Sequence, residues 1–285
     1  MQRRDFSLGL LGTGVMATGL WSCAPGAAAR PPGSSDPRAP AAPPGSGAPP
    51  AAGAPAGPRQ PIRAICFDLF TLFDPRSVVR VAETLVPEGA AELCEAWRVR
   101  QFEYAWLRAA AGAYLSFRDV TRDALDYAAR ARRIELSEAG REALVSAYSR
   151  LDVWPDTRAT LAAWRAAGLR LAPLANYSPD MLDPLLEQAG LATAFDARIS
   201  TDAARTFKPD PRAYALGVST LGLPREQIAF AAFGGWDAAG ARWFGFPTFW
   251  VNRLGMPSEA LPPAYDATGP TLTELAAFVS GWARA

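Results

Sequence analysis

The chain contains no histidine among its 285 residues. That absence removes Ser-His-Asp and Cys-His catalysis, His-ligated metals and imidazole general bases together. Cysteine is scarce too: the three residues Cys23, Cys66 and Cys94 cannot form a disulfide framework, and their spacing matches no zinc site. Net charge is +1, from 29 basic and 28 acidic side chains, so there is no general electrostatic footprint for nucleic acid. Lysine is rarest of all, since 28 of the 29 basic residues are Arg and only position 208 is Lys. A lone Lys among arginines marks either a place where a compact ammonium is wanted over a planar guanidinium or mutational chance. Composition does not choose between the two. Chemistry here must run on carboxylates, Arg, Lys, hydroxyls and backbone dipoles.

Residues 1–61 do not read as folded structure. Arg3 and Arg4, Phe6 and a Gly/Leu/Ala-rich run through Trp21 resemble a twin-arginine export signal over residues 1–29. The apolar run is too short and too rich in glycine for a membrane span. Cleavage after Ala27-Ala28-Ala29 fits this signal. So does acylation of Cys23, because Leu20-Trp21-Ser22-Cys23 resembles a lipoprotein box; either way the expected location is periplasmic, in the second case with a membrane tether. Residues 30–61 are expected to be a disordered linker. From Ala24 to Pro61 the chain is nearly all Ala, Pro, Gly and Ser and holds 12 of the 26 prolines, too little apolar area to offset its conformational entropy.

From residue 62 onward short apolar runs alternate with helical patterns. Strands are expected at Ile62–Phe67, Leu169–Leu174, Ala197–Ser200, Ile228–Ala232 and Thr248–Val251, and helices over 156–167, 179–189, 211–221 and 236–244. This alternation predicts an α/β fold with a Rossmann-like parallel sheet, whose ligands bind beyond the carboxyl ends of the strands. Asp68, Asn176 and the stretch 233–237 then share one edge. Residues 77–151 show helical periodicity and no strand signal, which predicts a helical cap inserted between core segments 62–76 and 152–285. Phe102, Trp106 and Leu107, with Leu125 and Tyr127 on a later helix, are expected mostly to form the core of that cap.

An Asp ending an apolar strand, with a Lys and a second Asp at later strand ends, is a candidate nucleophile. The segments Phe67-Asp68-Leu69-Phe70-Thr71-Leu72-Phe73-Asp74, Leu174-Ala175-Asn176-Tyr177-Ser178-Pro179, Lys208-Pro209-Asp210-Pro211-Arg212-Ala213-Tyr214 and Trp236-Asp237-Ala238-Ala239-Gly240-Ala241 resemble the four motifs of the haloacid dehalogenase superfamily. The stretch 97–108, Trp-Arg-Val-Arg-Gln-Phe-Glu-Tyr-Ala-Trp-Leu-Arg, and the tail 244–253 resemble its type II (S)-2-haloacid dehalogenases.

The resemblance implies a hydrolase in which Asp68 displaces halide from short 2-haloacids with inversion at the substrate carbon, leaving an ester on Asp68 that water then cleaves. It implies that Arg98 holds the substrate carboxylate or halide, that Lys208 balances the two carboxylates, and that Asp237 orients or activates the water. Thr71, Asn176 and Tyr214 would meet the substrate, with Tyr214 near the leaving group and Phe102, Phe117 and Trp236 forming the apolar pocket. It implies no cofactor and no metal, and members of the family are often dimers through the cap. A phosphatase of the same superfamily is disfavoured. Phosphoryl leaving groups benefit from a second Asp two positions after the first, where this chain has Phe70, whereas halide leaves as a stable anion and needs no general acid. Beside Asp237 stands Trp236 rather than an acidic residue, so a Mg²⁺ site would be poorly supplied with oxygen ligands. The chain departs from the family pattern in a nucleophile loop one residue short, in Ala175, in Tyr177 and in Ala232-Phe233-Gly234. These changes remove polar groups and bring a large ring toward the site. They favour a second reading, a dehalogenase-like protein that binds a small carboxylate with impaired turnover.

Overall fold

A computed structural model of the chain describes residues 59–282. The export signal, Cys23 and nearly all of the expected linker lie outside these residues. Six strands form one parallel sheet in the order β5-β4-β1-β6-β7-β8, comprising β1 Ala64–Phe67, β4 Arg170–Ala175, β5 Ile199–Ser200, β6 Ile228–Ala232, β7 Thr248–Val251 and β8 Ala267–Gly269. A separate antiparallel pair joins β2 Phe73–Asp74 to β3 Asp152–Val153. Between β2 and β3 run four helices, α1 Ser77–Leu85, α2 Ala90–Ala111, α3 Phe117–Ala131 and α4 Glu138–Ala147. The remaining helices are α5 Thr157–Ala166, α6 Pro179–Gln188, α7 Pro211–Leu221, α8 Gly235–Phe244 and α9 Leu272–Gly281.

β1 is apolar without alternation because it lies at the middle of the sheet and is covered on both faces. Its side chains divide between two cores. Ile65 and Phe67 pack with Trp164, Phe195 and Leu275, while Ala64 and Cys66 pack with Tyr214, Phe230 and Phe246. Cys66 sits against α7, and burial pushes its thiol up to about 12. Cys94 lies on α2 and is free, as Cys66 is.

Three expectations need correction. Trp106, Leu107 and Tyr127 are not core residues; they are 37%, 63% and 40% exposed. The buried stripe of α2 is Ala90, Leu93, Trp97, Gln101 and Ala105, at helical spacing, and Trp106 lies about 100° around the helix from it. Strand β5 begins at Ile199 rather than Ala197, because Arg198 turns outward to Asp183 at 2.8 Å. Strand β8 was not expected at all: three residues, Ala267–Gly269, are too short to carry a period.

The parallel register aligns the strand ends. Phe67 lies opposite Pro173 on one side and Ala231 on the other, which brings the residues just after β1, β4 and β6 to one edge. Arg98 and Phe102 from α2 and Phe117 from α3 reach the same edge and close over it.

Candidate active site

Asp68 follows β1 directly and caps a short 3-10 turn at Leu69–Thr71, its Oδ2 accepting from the Phe70 N–H at 3.2 Å. Its backbone N–H donates to the Ala231 carbonyl at 2.9 Å, so the residue is pinned between neighbouring strands. The turn is held from outside. Trp154 donates its indole N–H to the Phe70 carbonyl at 3.0 Å, Arg253 donates Nη2 to the Thr71 carbonyl at 2.8 Å, and Thr157 donates its hydroxyl to the Leu72 carbonyl at 3.0 Å. Arg253 in turn pairs with Asp156 at 2.8 Å, with only 5% of its side chain exposed. Three consecutive carbonyls after the nucleophile candidate are thereby fixed.

Lys208 Nζ lies 2.7 Å from Asp68 Oδ1 and 2.7 Å from Asp237 Oδ2. Its own position is set by its backbone N–H, which donates to Asn176 Oδ1 at 2.8 Å. Lys208 and Asp237 are each 1% exposed and Asp68 16%. Burial acts to lower the ammonium's pKa, but Asp237 and Asp68 together outweigh it and hold the group above its ordinary value. For Asp237, burial is the largest influence. It raises the carboxyl to about 6 against the opposing pull of Lys208, with the charge on Asp68 adding to the rise.

Tyr214 donates its hydroxyl to Asp237 Oδ1 at 2.7 Å, so both carboxylate oxygens of Asp237 are engaged. This contact requires a glycine at 240, because a Cβ there would come within 2.6 Å of the Tyr214 hydroxyl and of Pro209 Cβ. Tyr214 is fully buried among Phe230, Phe244 and Phe246 and has nowhere to retreat. Gly240→Ala is therefore expected to cost about 1–3 kcal/mol by overpacking, read as a lower urea midpoint with an unchanged slope. A variant as stable as the parent would show that Tyr214 is not held against α8.

In front of Asp68 is a cavity of ≈ 30 Å³ lined by Asp68, Leu69, Phe70, Arg98, Phe102, Phe117, Ala175, Asn176, Tyr177, Phe233, Gly234 and Trp236. Of the residues expected at the site, Asp68, Arg98, Asn176, Phe102, Phe117 and Trp236 line it. Lys208 and Asp237 stand behind the wall. Two expectations are corrected. Thr71 does not face the cavity; it is fully buried and donates its hydroxyl to the Asp68 carbonyl at 2.7 Å, closing the 3-10 turn. Tyr214 backs Asp237 from behind and does not line the cavity. Sequence reasoning assigned no wall role to Phe70 or Phe233, although both sit immediately beyond strand ends. Arg253, Asp156 and Trp154 were also missed; Arg253 lay in the matching tail with no chemistry attached, and the other two carried no signal.

Arg98 is the cation of the cavity. Its guanidinium carbon lies 5.6 Å from the Phe70 ring, 5.6 Å from Phe233 and 5.9 Å from Phe102, within cation–π range of all three. A charge held by ring faces keeps its N–H groups available to an anion. The site thus offers a carboxylate, a cation and aromatic walls around one cavity.

A Rossmann-like sheet with a strand-end aspartate, a buried lysine shared by two carboxylates and a helical segment closing over the edge defines an α/β hydrolase of the aspartate-centred class. The sequence profile of haloacid dehalogenase-like hydrolases matches residues 62–245, and the chain belongs to that family. It is 41% identical over 206 residues to the (S)-2-haloacid dehalogenase of Pseudomonas sp. (strain YL), a match covering 72% of this chain and 89% of the relative. Identity to haloacetate dehalogenase H-2 of Moraxella sp. (strain B) is 36% over 220 residues, covering 77% of this chain and 98% of that protein. The structure of L-2-haloacid dehalogenase from Xanthobacter autotrophicus with chloropropionic acid covalently bound superposes with a TM-score of 0.73 at 36% identity, covering 77% of this chain and 99% of that one.

Proposed function

We propose that this dehalogenase-like hydrolase displaces halide from short 2-haloacids through a covalent ester on Asp68. The observation that carries the reading is that Asp68 lines the same cavity as Arg98, with Lys208 Nζ 2.7 Å from its carboxylate. Arg98 receives the substrate's anionic end. An Asp68 oxygen attacks the α-carbon, the carbon–halogen bond breaks, and its electron pair leaves as halide. Halide is a weak base and needs no proton donor, in keeping with Phe70 where an acid would otherwise stand. Water then attacks the Asp68 carboxyl carbon, the acyl–oxygen bond breaks, and the 2-hydroxy acid departs with a proton released to solvent. Lys208 places a positive charge 2.7 Å from the Asp68 carboxylate and offsets the negative charge that develops during hydrolysis. The test is a single turnover on chloroacetate in ¹⁸O-water: the heavy oxygen should appear in Asp68 and not in the first glycolate. Label going directly into glycolate would eliminate the ester.

The pH profile follows from Asp237. Its folded pKa is raised, so as pH falls through about 6 the carboxylate gains a proton. It then no longer balances Lys208 or draws a proton from water. Halide release is expected to fall on the acid side with an apparent pKa near 6. With no histidine in the chain, an acid limb in this range has no imidazole to account for it, and a flat rate from pH 5 to 8, roughly the imidazole range, would remove Asp237 from the rate-limiting step.

One observation favours a second reading, a site that binds a small carboxylate without efficient turnover. Asp237 is 1% exposed and both of its oxygens are engaged, by Lys208 and Tyr214. Binding of chloroacetate with no chloride released would select this reading. We also propose export by the Arg3-Arg4 signal with a tether at Cys23; Cys23→Ser freeing the protein from the membrane fraction is the expected result, and an untethered parent would sink the tether.

A further inference from the structure

Resting on the dehalogenase reading above, we infer that Tyr177 and Phe233 set a size limit that confines this site to two-carbon acids, the monohaloacetates, and excludes acids with a carbon substituent on the reacting centre. The cavity before Asp68 is ≈ 30 Å³. That is small beside the ≈ 560 Å³ of the groove on the other side of its aromatic wall. A haloacetate carries only hydrogens on the reacting carbon. A 2-halopropionate adds a methyl group.

Geometry decides where that methyl would go. In-line displacement puts Asp68 on one side of the carbon and the halide on the other, and the carboxylate turns to Arg98. The fourth substituent must then point sideways, into the aromatic wall. Tyr177 is 3% exposed, is stacked on Phe117 at 5.5 Å and meets Phe70 edge-on at 6.2 Å. Its hydroxyl donates to the Tyr148 carbonyl at 3.2 Å, which fixes the far end of the ring. Phe233 stands edge-on to Phe70 at 5.7 Å, and its backbone is held by the Trp250 indole, which donates to its carbonyl at 2.9 Å. The Tyr177 ring is thus packed against Phe117 and Phe70 and tied at its tip, and packed interiors do not yield a methyl group's space without cost.

A larger groove of ≈ 560 Å³ lies beyond the same wall, and Arg98, Phe102, Phe233, Gly234 and Trp236 line both spaces. It does not relieve the limit. Trp236 lies over Gly234, whose added Cβ would come 2.7 Å from the indole nitrogen. The indole also packs on Phe102 at 5.2 Å and on Trp106 at 5.3 Å, which makes Trp236 part of the wall between the two spaces.

The test compares kcat/KM for chloride release from chloroacetate and from racemic 2-chloropropionate, using the full chain, Tyr177→Ala and the milder Phe233→Leu. The parent is expected to favour chloroacetate by about 10–200-fold, the range one methyl group commands in a tight pocket. Each folded variant should narrow that ratio by at least about tenfold, through gain on 2-chloropropionate. Equal rates on both acids in the parent would overturn the size limit and leave the dehalogenase reading standing. A strong preference that neither variant narrows would overturn the assignment to these two rings. No chloride from either acid would sink the dehalogenase reading instead, and calorimetric binding of the hydroxy acids then decides the size limit. Glycolate bound, lactate refused, and lactate admitted by the variants supports it; equal binding of the two by the parent, or binding of neither, overturns it.

Discussion

Asp68→Asn is expected to lower halide release by at least about 10⁴-fold while the fold survives, the scale seen when the attacking group of an enzyme is removed. The substitution keeps the size of the side chain. Asp68 accepts from the Phe70 N–H through Oδ2 at 3.2 Å and from Lys208 Nζ through Oδ1 at 2.7 Å, and an amide, with one oxygen, keeps one of these two contacts and gives up the other. What disappears is the anionic oxygen, because an amide oxygen is a poor nucleophile toward carbon. Asp68 is also the most accessible member of its triad, at 16% against 1% for the other two, so neutralising it disturbs the buried pair least. Lys208 remains paired with Asp237, and the loss in stability should stay within about 1–2 kcal/mol, the scale of one charge-assisted hydrogen bond at a partly wetted site. Chloride release and urea unfolding on the same preparation separate the effects. Unchanged release would remove Asp68 from the reaction, and a collapsed fold would recast it as structural.

The sheet was legible because its physics is local. β1, β4, β6 and β7 read as short apolar runs because each lies inside a two-sided sheet, and the Asp68 and Asn176 that follow β1 and β4 stand out against apolar or small neighbours. Arg98 was legible only through likeness to a family, since nothing in a helix sequence says which way an arginine turns. What escaped was of two kinds. Strand β8 is too short for a period, and the exposed aromatics of α2 looked like core because aromatic residues at helical spacing mark a stripe without saying which side is covered. The clamp on the nucleophile turn escaped for another reason. Arg253 and Asp156 pair across 97 residues of sequence, and Thr71 meets Arg253 across 182, so no window along the chain contains the interaction. Thr71 and Tyr214 were rightly placed near the site and wrongly aimed. Sequence placed the residues, and packing set the direction of their hydroxyls.

Lys208→Met should cost about 3–5 kcal/mol near neutral pH, the usual result of removing one partner of a buried ion pair, and should abolish halide release as well. Met fills the space of the alkyl chain but leaves Asp237 with no cation near it, so that the carboxyl must either stay charged and unpaired or take up a proton. Asp68, partly wetted, has water to fall back on; Asp237 does not. The size of the cost depends on pH, and its sign can be worked out. Lys208 lowers the Asp237 pKa in the parent, where burial already holds it at about 6. Without the ammonium it rises further. A folded pKa above the unfolded value means that the native state binds more protons than the unfolded chain between the two, so stability falls as pH rises through that interval. Below the unfolded carboxyl range Asp237 is neutral in both states and the ammonium's absence matters least. Lys208→Met should therefore approach the parent's stability in acid and fall away from it steadily toward neutral pH. The double variant Lys208→Met/Asp237→Asn tests the cause, because an amide carries no charge to strand. If the stranded charge is responsible, the second change should recover much of the lost stability without restoring activity, and the coupling between the two should reach about 1–3 kcal/mol. Strictly additive losses would mean instead that Lys208 stabilises the fold through its buried alkyl chain and its contact with the Phe230 ring at 5.2 Å, with the two carboxylates incidental.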